Sequence, residues 1–283
     1  MNKASFLKII LNLMSKIYKI IWLIFFVLHG YAVLAQNNFV EIEVIGDHRC
    51  ISSNGYPNHT IGQFPNRGNP NRFKSQNVKM CMDARPSITG RIDRRSNGSG
   101  ITITGIILRP GTADWYDASS PRGFSRNGSS GWNLEGMGPK NTLGLDRENA
   151  HVDNRGLYHY HGVSTYLATS LNGTLLGYAA DGYEIHYIGE KAQSSWRLKN
   201  GTRATSPFGT YDGTYNEDYH YVAGTGNLDE CNGAKTNGRY VYYATDTYPF
   251  FPRCFLGQVS LSLIHISEPT RQAEISYAVF CLK

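Results

Sequence analysis

Tyr158-His159-Tyr160-His161, closed by Gly162, fits few structures. Strict alternation of two aromatics with two histidines is the pattern of a β-strand with two different faces. Side chains on a strand point to opposite sides with period two, so His159 and His161 share one face and Tyr158 and Tyr160 the other. Two imidazoles at i and i+2 on a strand are a common start to a transition-metal site. The bland reading is a Tyr-rich packing strand whose histidines are half-buried polar residues.

The rest of the chain agrees with strands. No long stretch carries a 3.6-residue apolar period. Short runs rich in Val, Ile, Thr and Tyr are instead separated by Gly, Asn, Asp and Pro. The expected strands are 39–45, 101–108, 157–161, 174–179, 183–188 and 239–244. Asn58 to Asn77 and Asp117 to Gly138 read as irregular loops. No linker-like composition separates two domains. The expected fold class is mainly β: a single compact, sandwich-like β-rich domain with long irregular loops and two disulfides.

Both ends are set apart. Lys3, Lys8, Lys16 and Lys19, the apolar run Ile20 to Leu28, and Ala32-Val33-Leu34-Ala35 read as a signal peptide over residues 1–35. Residues 261–283 resemble the in-frame translation of a sequencing adapter and are read as a non-native tail, leaving a domain over 36–260. Without these ends Lys+Arg falls from 28 to 22 and Asp+Glu from 22 to 20, so the net charge is +2 rather than +6. That gives no argument for nucleic acid. No later apolar run suits a stable membrane span. Cys50, Cys81, Cys231 and Cys254 remain, an even number in an exported chain. Of the three pairings, Cys50–Cys81 and Cys231–Cys254, nearest in sequence, are preferred. The expected location is secreted or periplasmic.

The histidine strand has a candidate partner. Asn154-Arg155-Gly156 reads as a three-residue hairpin turn with Gly in the left-handed position. In that register His151 lies across from His159, with His161 diagonally adjacent, and one face carries three imidazoles. A turn of two or four residues would undo the triad. Asp181, presented by the turn Ala179-Ala180-Asp181-Gly182, and Glu230, beside Cys231, are candidate general bases or ligands. For a single acid, turn capping or a surface salt bridge is the plainer reading. His48, His59 and His220 stand alone and read as surface or loop residues. Gly156 to Tyr166 also echoes Gly238 to Tyr248, with Val241 and Tyr243 where His159 and His161 stand. Two related strands, or coincidence in a Tyr-rich chain, would both produce this.

At these residues the chain resembles the YHYH-domain family of exported proteins. The likeness runs through Pro57-Asn58-His59, Glu148 to Asp153, Gly156 to Gly162, Ala180-Asp181-Gly182, Leu228 to Gly233 and Tyr248 to Phe255. The resemblance implies export and little about molecular activity. Family members often carry a second Tyr-His-Tyr-His-like strand before the final Cys. Here that position reads Tyr240-Val241-Tyr242-Tyr243, so a site needing both strands is in doubt and one built on His151, His159 and His161 is not. The expectation is a divalent transition metal, zinc or copper, on those three histidines. If the site is catalytic, the chemistry is metal-dependent hydrolysis with Asp181 or Glu230 as base. The alternative is a non-catalytic module binding a glycan or cell surface through Trp115, Trp132 and Trp196.

Overall fold

The computed structural model describes residues 37–94, 99–140, 143–171 and 173–259, and the backbone of 264–267. The chain separates into two units, Met1–Asn37 and Asn38–Lys283, and every element below belongs to the second. The segment read as a signal peptide lies outside the described residues, as does most of the tail.

Strands β1 (Val40–Ile45), β2 (His48–Ser53) and β3 (Asn77–Asp83) form an antiparallel sheet. The short hairpin β4 (Gly100–Thr102) and β5 (Ile107–Leu108) follows. Next come the three-stranded β6 (Gly111–Tyr116), β7 (Phe124–Ser125) and β8 (Asn133–Glu135). The hairpin β9 (Ala150–Val152) and β10 (Tyr158–Tyr160) leads into helix α1 (Thr165–Ser170), then β11 (Leu175–Ala179) and β12 (Glu184–His186). Strands β13 (Trp196–Leu198), β14 (Thr202–Arg203), β15 (Gly209–Thr210) and β16 (Tyr219–Tyr221) make two ribbons, β13 with β16 and β14 with β15. The hairpin β17 (Gly233–Thr236) and β18 (Arg239–Tyr243) closes an eight-stranded sheet of order β17-β18-β12-β11-β4-β5-β10-β9. Finally β19 (Ile264–Ser267), inside the segment read as a tail, pairs with the free edge of β3 through its backbone. An open sheet edge accepts any extended backbone, so this pairing says little about the sequence that makes it.

The eight-stranded sheet is built twice. In each half a hairpin (β4–β5, β11–β12) is followed by a second hairpin (β9–β10, β17–β18), whose last strand runs parallel to the last strand of the first. The halves meet at the antiparallel pair β4–β11. Their turns match in detail. Gly105 (φ 82°) and Gly182 (φ 93°) both donate N–H to the carbonyl three residues back, at 2.9 Å. Asp146 Oδ1 accepts from Glu148 and Ala150 N–H; Asp229 Oδ1 accepts from Cys231 and Gly233 N–H. Asn149 (φ 57°) and Asn232 (φ 64°) hold the same left-handed position, which asparagine tolerates better than most residues. The echo between Gly156 to Tyr166 and Gly238 to Tyr248 is therefore structural. Leu145-Asp146-Arg147-Glu148-Asn149-Ala150 and Leu228-Asp229-Glu230-Cys231-Asn232-Gly233 extend it.

The tyrosine faces point into the core. Tyr158, Tyr160, Tyr240 and Tyr242 pack in one cluster with Ile51, Val78, Met80 and Met82 of the smaller sheet, so the two sheets enclose a common interior and neither closes into a barrel. Burying a large apolar side chain is worth about 1.5–3 kcal/mol, provided a buried phenol finds a hydrogen-bond partner. All four do. Tyr158 donates to Asp146, Tyr240 to Asp229 and Tyr242 to Asp181, each at 2.8 Å, and Tyr160 Oη lies 2.6 Å from His59 Nε2.

Both expected disulfides are present. Cys50–Cys81 joins directly opposed residues of β2 and β3, and Cys231–Cys254 ties the turn before β17 to the segment after β18. Two of the segments named from the sequence take a different form. Residues 101–108 form a hairpin rather than one strand, because Gly105 turns the chain with its positive φ. Asp117 to Gly138 contains the strands β7 and β8. Strands β2 and β3 were not legible, since Arg49, Cys50, Ser52, Lys79 and Asp83 break any run of typical strand formers.

Candidate metal centre

The hairpin register decides what the histidine face can do. Asp153 N–H bonds to the Leu157 carbonyl at 3.0 Å, Gly156 N–H returns to the Asp153 carbonyl at 3.0 Å, and Gly156 sits at φ 96°. The Asp153 carboxylate accepts from Arg155 and Leu157 N–H and braces the turn. Tyr158 then opposes Val152, His159 opposes His151 and Tyr160 opposes Ala150. This is the register that the three-residue turn predicts, and it brings His151, His159 and His161 together.

Their Nε2 atoms converge. His159 Nε2 lies 3.1 Å from His151 Nε2 and 3.2 Å from His161 Nε2, and one ligand atom from each ring lies within 4.8 Å of the others. Four nitrogens around a tetrahedral ion at ~2.05 Å stand roughly 3.3 Å apart, so the spacing fits such an ion. Each Nδ1 faces a backbone carbonyl: Leu143 at 2.9 Å for His151, Leu157 at 3.1 Å for His159, and Pro110 at 3.4 Å for His161. A carbonyl holds the proton on Nδ1 and leaves Nε2 as an open lone pair. Lone pairs facing each other at these two separations repel unless a cation lies among them.

Burial makes a proton a poor occupant. His159 and His161 are 2% and 1% exposed, and desolvation holds both well below the ordinary imidazole pKa. His151 is lowered for the same reason. The nearby Arg109 guanidinium pushes in the same direction. On the opposite face, desolvation first and the Asp146 charge second raise the Tyr158 phenol, so it stays a neutral donor.

The cluster forms the floor of a cleft of about 500 Å³, whose walls come from the 68–71 loop, β6 and the β9–β10 turn. Several supporting residues carried no local signal. Asn69, buried in an irregular loop, donates to the Val152 carbonyl at 2.8 Å and so packs beside the His151 ring. Gly136 lies so close to His161 that a Cβ there would collide with the imidazole. His59, read as an ordinary loop residue, instead contacts Tyr158, Tyr160 and Tyr166 from the core side.

Asp181 and Glu230 are not brought to the histidines. Asp181 is fully buried beneath Tyr242, and its Oδ2 accepts from Tyr242 Oη and Gly257 N–H. Glu230 pairs with Arg94 at 2.6 Å. The acids that line the cleft are Asp114 and Asp153. Trp132 packs at 69° against Tyr215, Trp196 packs at 75° against Tyr248 and donates to the Glu230 carbonyl, and Trp115 lies on β6.

The second half shows the same backbone with other side chains. Ala234, Val241 and Tyr243 occupy the positions of His151, His159 and His161. They close an apolar cluster with Ala192 and Leu228. The fold needs no histidine to fill this place.

The model of the family described as YHYH protein matches residues 79–257, more than half of the chain. No curated protein and no solved structure matches.

Proposed function

The chain belongs to the YHYH protein family, and from that premise we propose that it is an exported protein that binds a divalent transition metal, zinc or copper, through Nε2 of His151, His159 and His161. One observation carries the reading: His159 Nε2 lies 3.1 and 3.2 Å from the Nε2 atoms of His151 and His161, with the three donors within 4.8 Å of one another, while each Nδ1 is turned to a carbonyl. Neutral nitrogen donors suit zinc and copper better than magnesium or calcium, which prefer oxygen. Three protein ligands at the floor of a cleft leave a further coordination position facing that cleft, the arrangement of catalytic rather than structural zinc. Such an ion would polarise a bound substrate for hydrolysis. Asp114 and Asp153 are the carboxylates that line the cleft, and Asp153 is held by Arg109 and the hairpin turn, which leaves Asp114 as the candidate to take a proton. The two disulfides suit an oxidising compartment, secreted or periplasmic. Among the described residues no helix is long and apolar enough to cross a membrane.

Metal analysis of the chain purified from periplasm without chelators tests this. The expected result is close to one zinc or copper per chain, lost in His159→Ala and in His161→Ala, with circular dichroism unchanged. Wild-type protein that holds no stoichiometric metal, and takes none up when zinc or copper is added, overturns the reading.

A further inference from the structure

Four arginines, Arg109, Arg122, Arg126 and Arg155, line the same cleft as the three histidines, against two acids, Asp114 and Asp153. Asp153 is already engaged, at 3.2 Å from Arg109 and 3.8 Å from Arg155. Arg122 and Arg126 lie on the exposed segment around β7, and neither forms an ion pair among the described residues. The Arg122 guanidinium is 5.0 Å from the centre of the Phe124 ring, which also lines the cleft. That contact orients the side chain. Without its two ends the chain carries only +2, so the surplus of cations here is a local feature. Neutral imidazoles add nothing to cancel the charge of a metal ion, which then adds to that of the arginines. A concave, partly desolvated wall focuses such a field on anions. A volume of about 500 Å³ lies in the range of small-molecule sites.

We propose that this cleft binds the oxyanion of a small-molecule substrate, a phosphoryl, sulfuryl or carboxyl group, between the histidine cluster and the guanidinium groups of Arg122 and Arg126. Arginine suits that task because its planar fork of donors matches two oxygens of one anion. The proposal rests on the metal reading for the ion at the cleft floor, and on the arginines independently of it.

Calorimetric titration of the zinc-loaded chain with inorganic phosphate, sulfate and acetate tests it, with metal content measured on the same samples. The expected result is saturable binding of at least one anion, and the preferred one names the group. The double variant Arg122→Ala/Arg126→Ala keeps its metal and weakens that binding ~10-fold or more, the loss of one charge-assisted hydrogen bond or a little over. Arg122→Lys/Arg126→Lys, which keeps the charge, recovers part of it. A metal-loaded wild type that binds none of the three at millimolar concentration, or an alanine variant that binds as wild type does, overturns the inference and leaves the metal reading standing. A chain that takes up no metal yet binds an anion through the two arginines overturns the metal reading and leaves this one standing.

Discussion

At the scale of residues, the tyrosines and histidines of one strand have separate tasks. Tyr158 is fully buried and donates to Asp146, which also accepts N–H bonds from Gly62, Glu148 and Ala150. Asp146→Ala strands the phenol and those amides, and leaving one buried donor unsatisfied costs about 1–3 kcal/mol. A urea denaturation midpoint close to wild type would contradict this. Gly136 sits against the His161 ring, where a Cβ cannot fit. Gly136→Ala should shift that imidazole and lower zinc affinity ~10–100-fold, the range for a lost supporting contact, with the fold intact. Competition with a chromogenic chelator measures it, and unchanged affinity would show that the ring has room.

At the scale of elements, the β9–β10 hairpin is the unit that makes the site. Its register depends on the Asn154-Arg155-Gly156 turn, where Gly156 stands at φ 96° and a Cβ would lie 2.7 Å from Lys74 Cβ. Gly156→Ala should cost about 1–3 kcal/mol, the range for a residue held in a disfavoured backbone region. It should also weaken metal binding, because a one-residue slip would send the histidine set to the wrong face. Thermal melts with and without zinc separate the two effects; a variant as stable as wild type would mean the turn relaxes freely. The histidine triad was legible because this hairpin is local: alternation and turn type settle which side chains share a face. Asn69, Leu143 and Pro110 were not legible as supports. They approach from loops with no periodicity, and Asn69 meets His151 across a long stretch of chain. The acids failed for a related reason. Asp181 and Glu230 sit in conspicuous turns, but a turn shows only that a carboxylate is available, not what it faces.

At the scale of the whole molecule, the duplicated sheet buries tyrosines in both halves. Burial first, and the neighbouring Asp229 and Asp181 charges next, raise the phenols of Tyr240 and Tyr242, and burial raises Tyr248 to about 12. A folded-state pKa above the unfolded value means the stability from these groups is fully present below pH ~10, the ordinary tyrosine value. It is lost as pH rises toward the folded values, because the unfolded chain releases its protons first. Tyrosinate absorbance from these residues should therefore rise together with loss of near-ultraviolet circular dichroism above pH ~10. A gradual rise in a chain still folded would show them to be accessible. The two disulfides close loops with separations of 31 and 23 residues, each worth about 2–4 kcal/mol in such cases. Reduction should lower the melting temperature, and an unchanged melt would mean that the packed core alone suffices.

The amino-acid sequence by itself determined the strand with two faces, the hairpin register that gathers three histidines, and the pairing of cysteines near one another along the chain. These follow from period-two alternation, turn geometry and short loop closure, all of them local. Only the tertiary structure decided which face became core, which carbonyl meets His161 Nδ1, and which charges line the cleft. It also decided that the strand Tyr240 to Tyr243, built like the first, closes on an apolar cluster of Ala234, Val241 and Tyr243. Those outcomes depend on contacts between segments far apart in the chain, and local patterning carries no record of which segment arrives opposite.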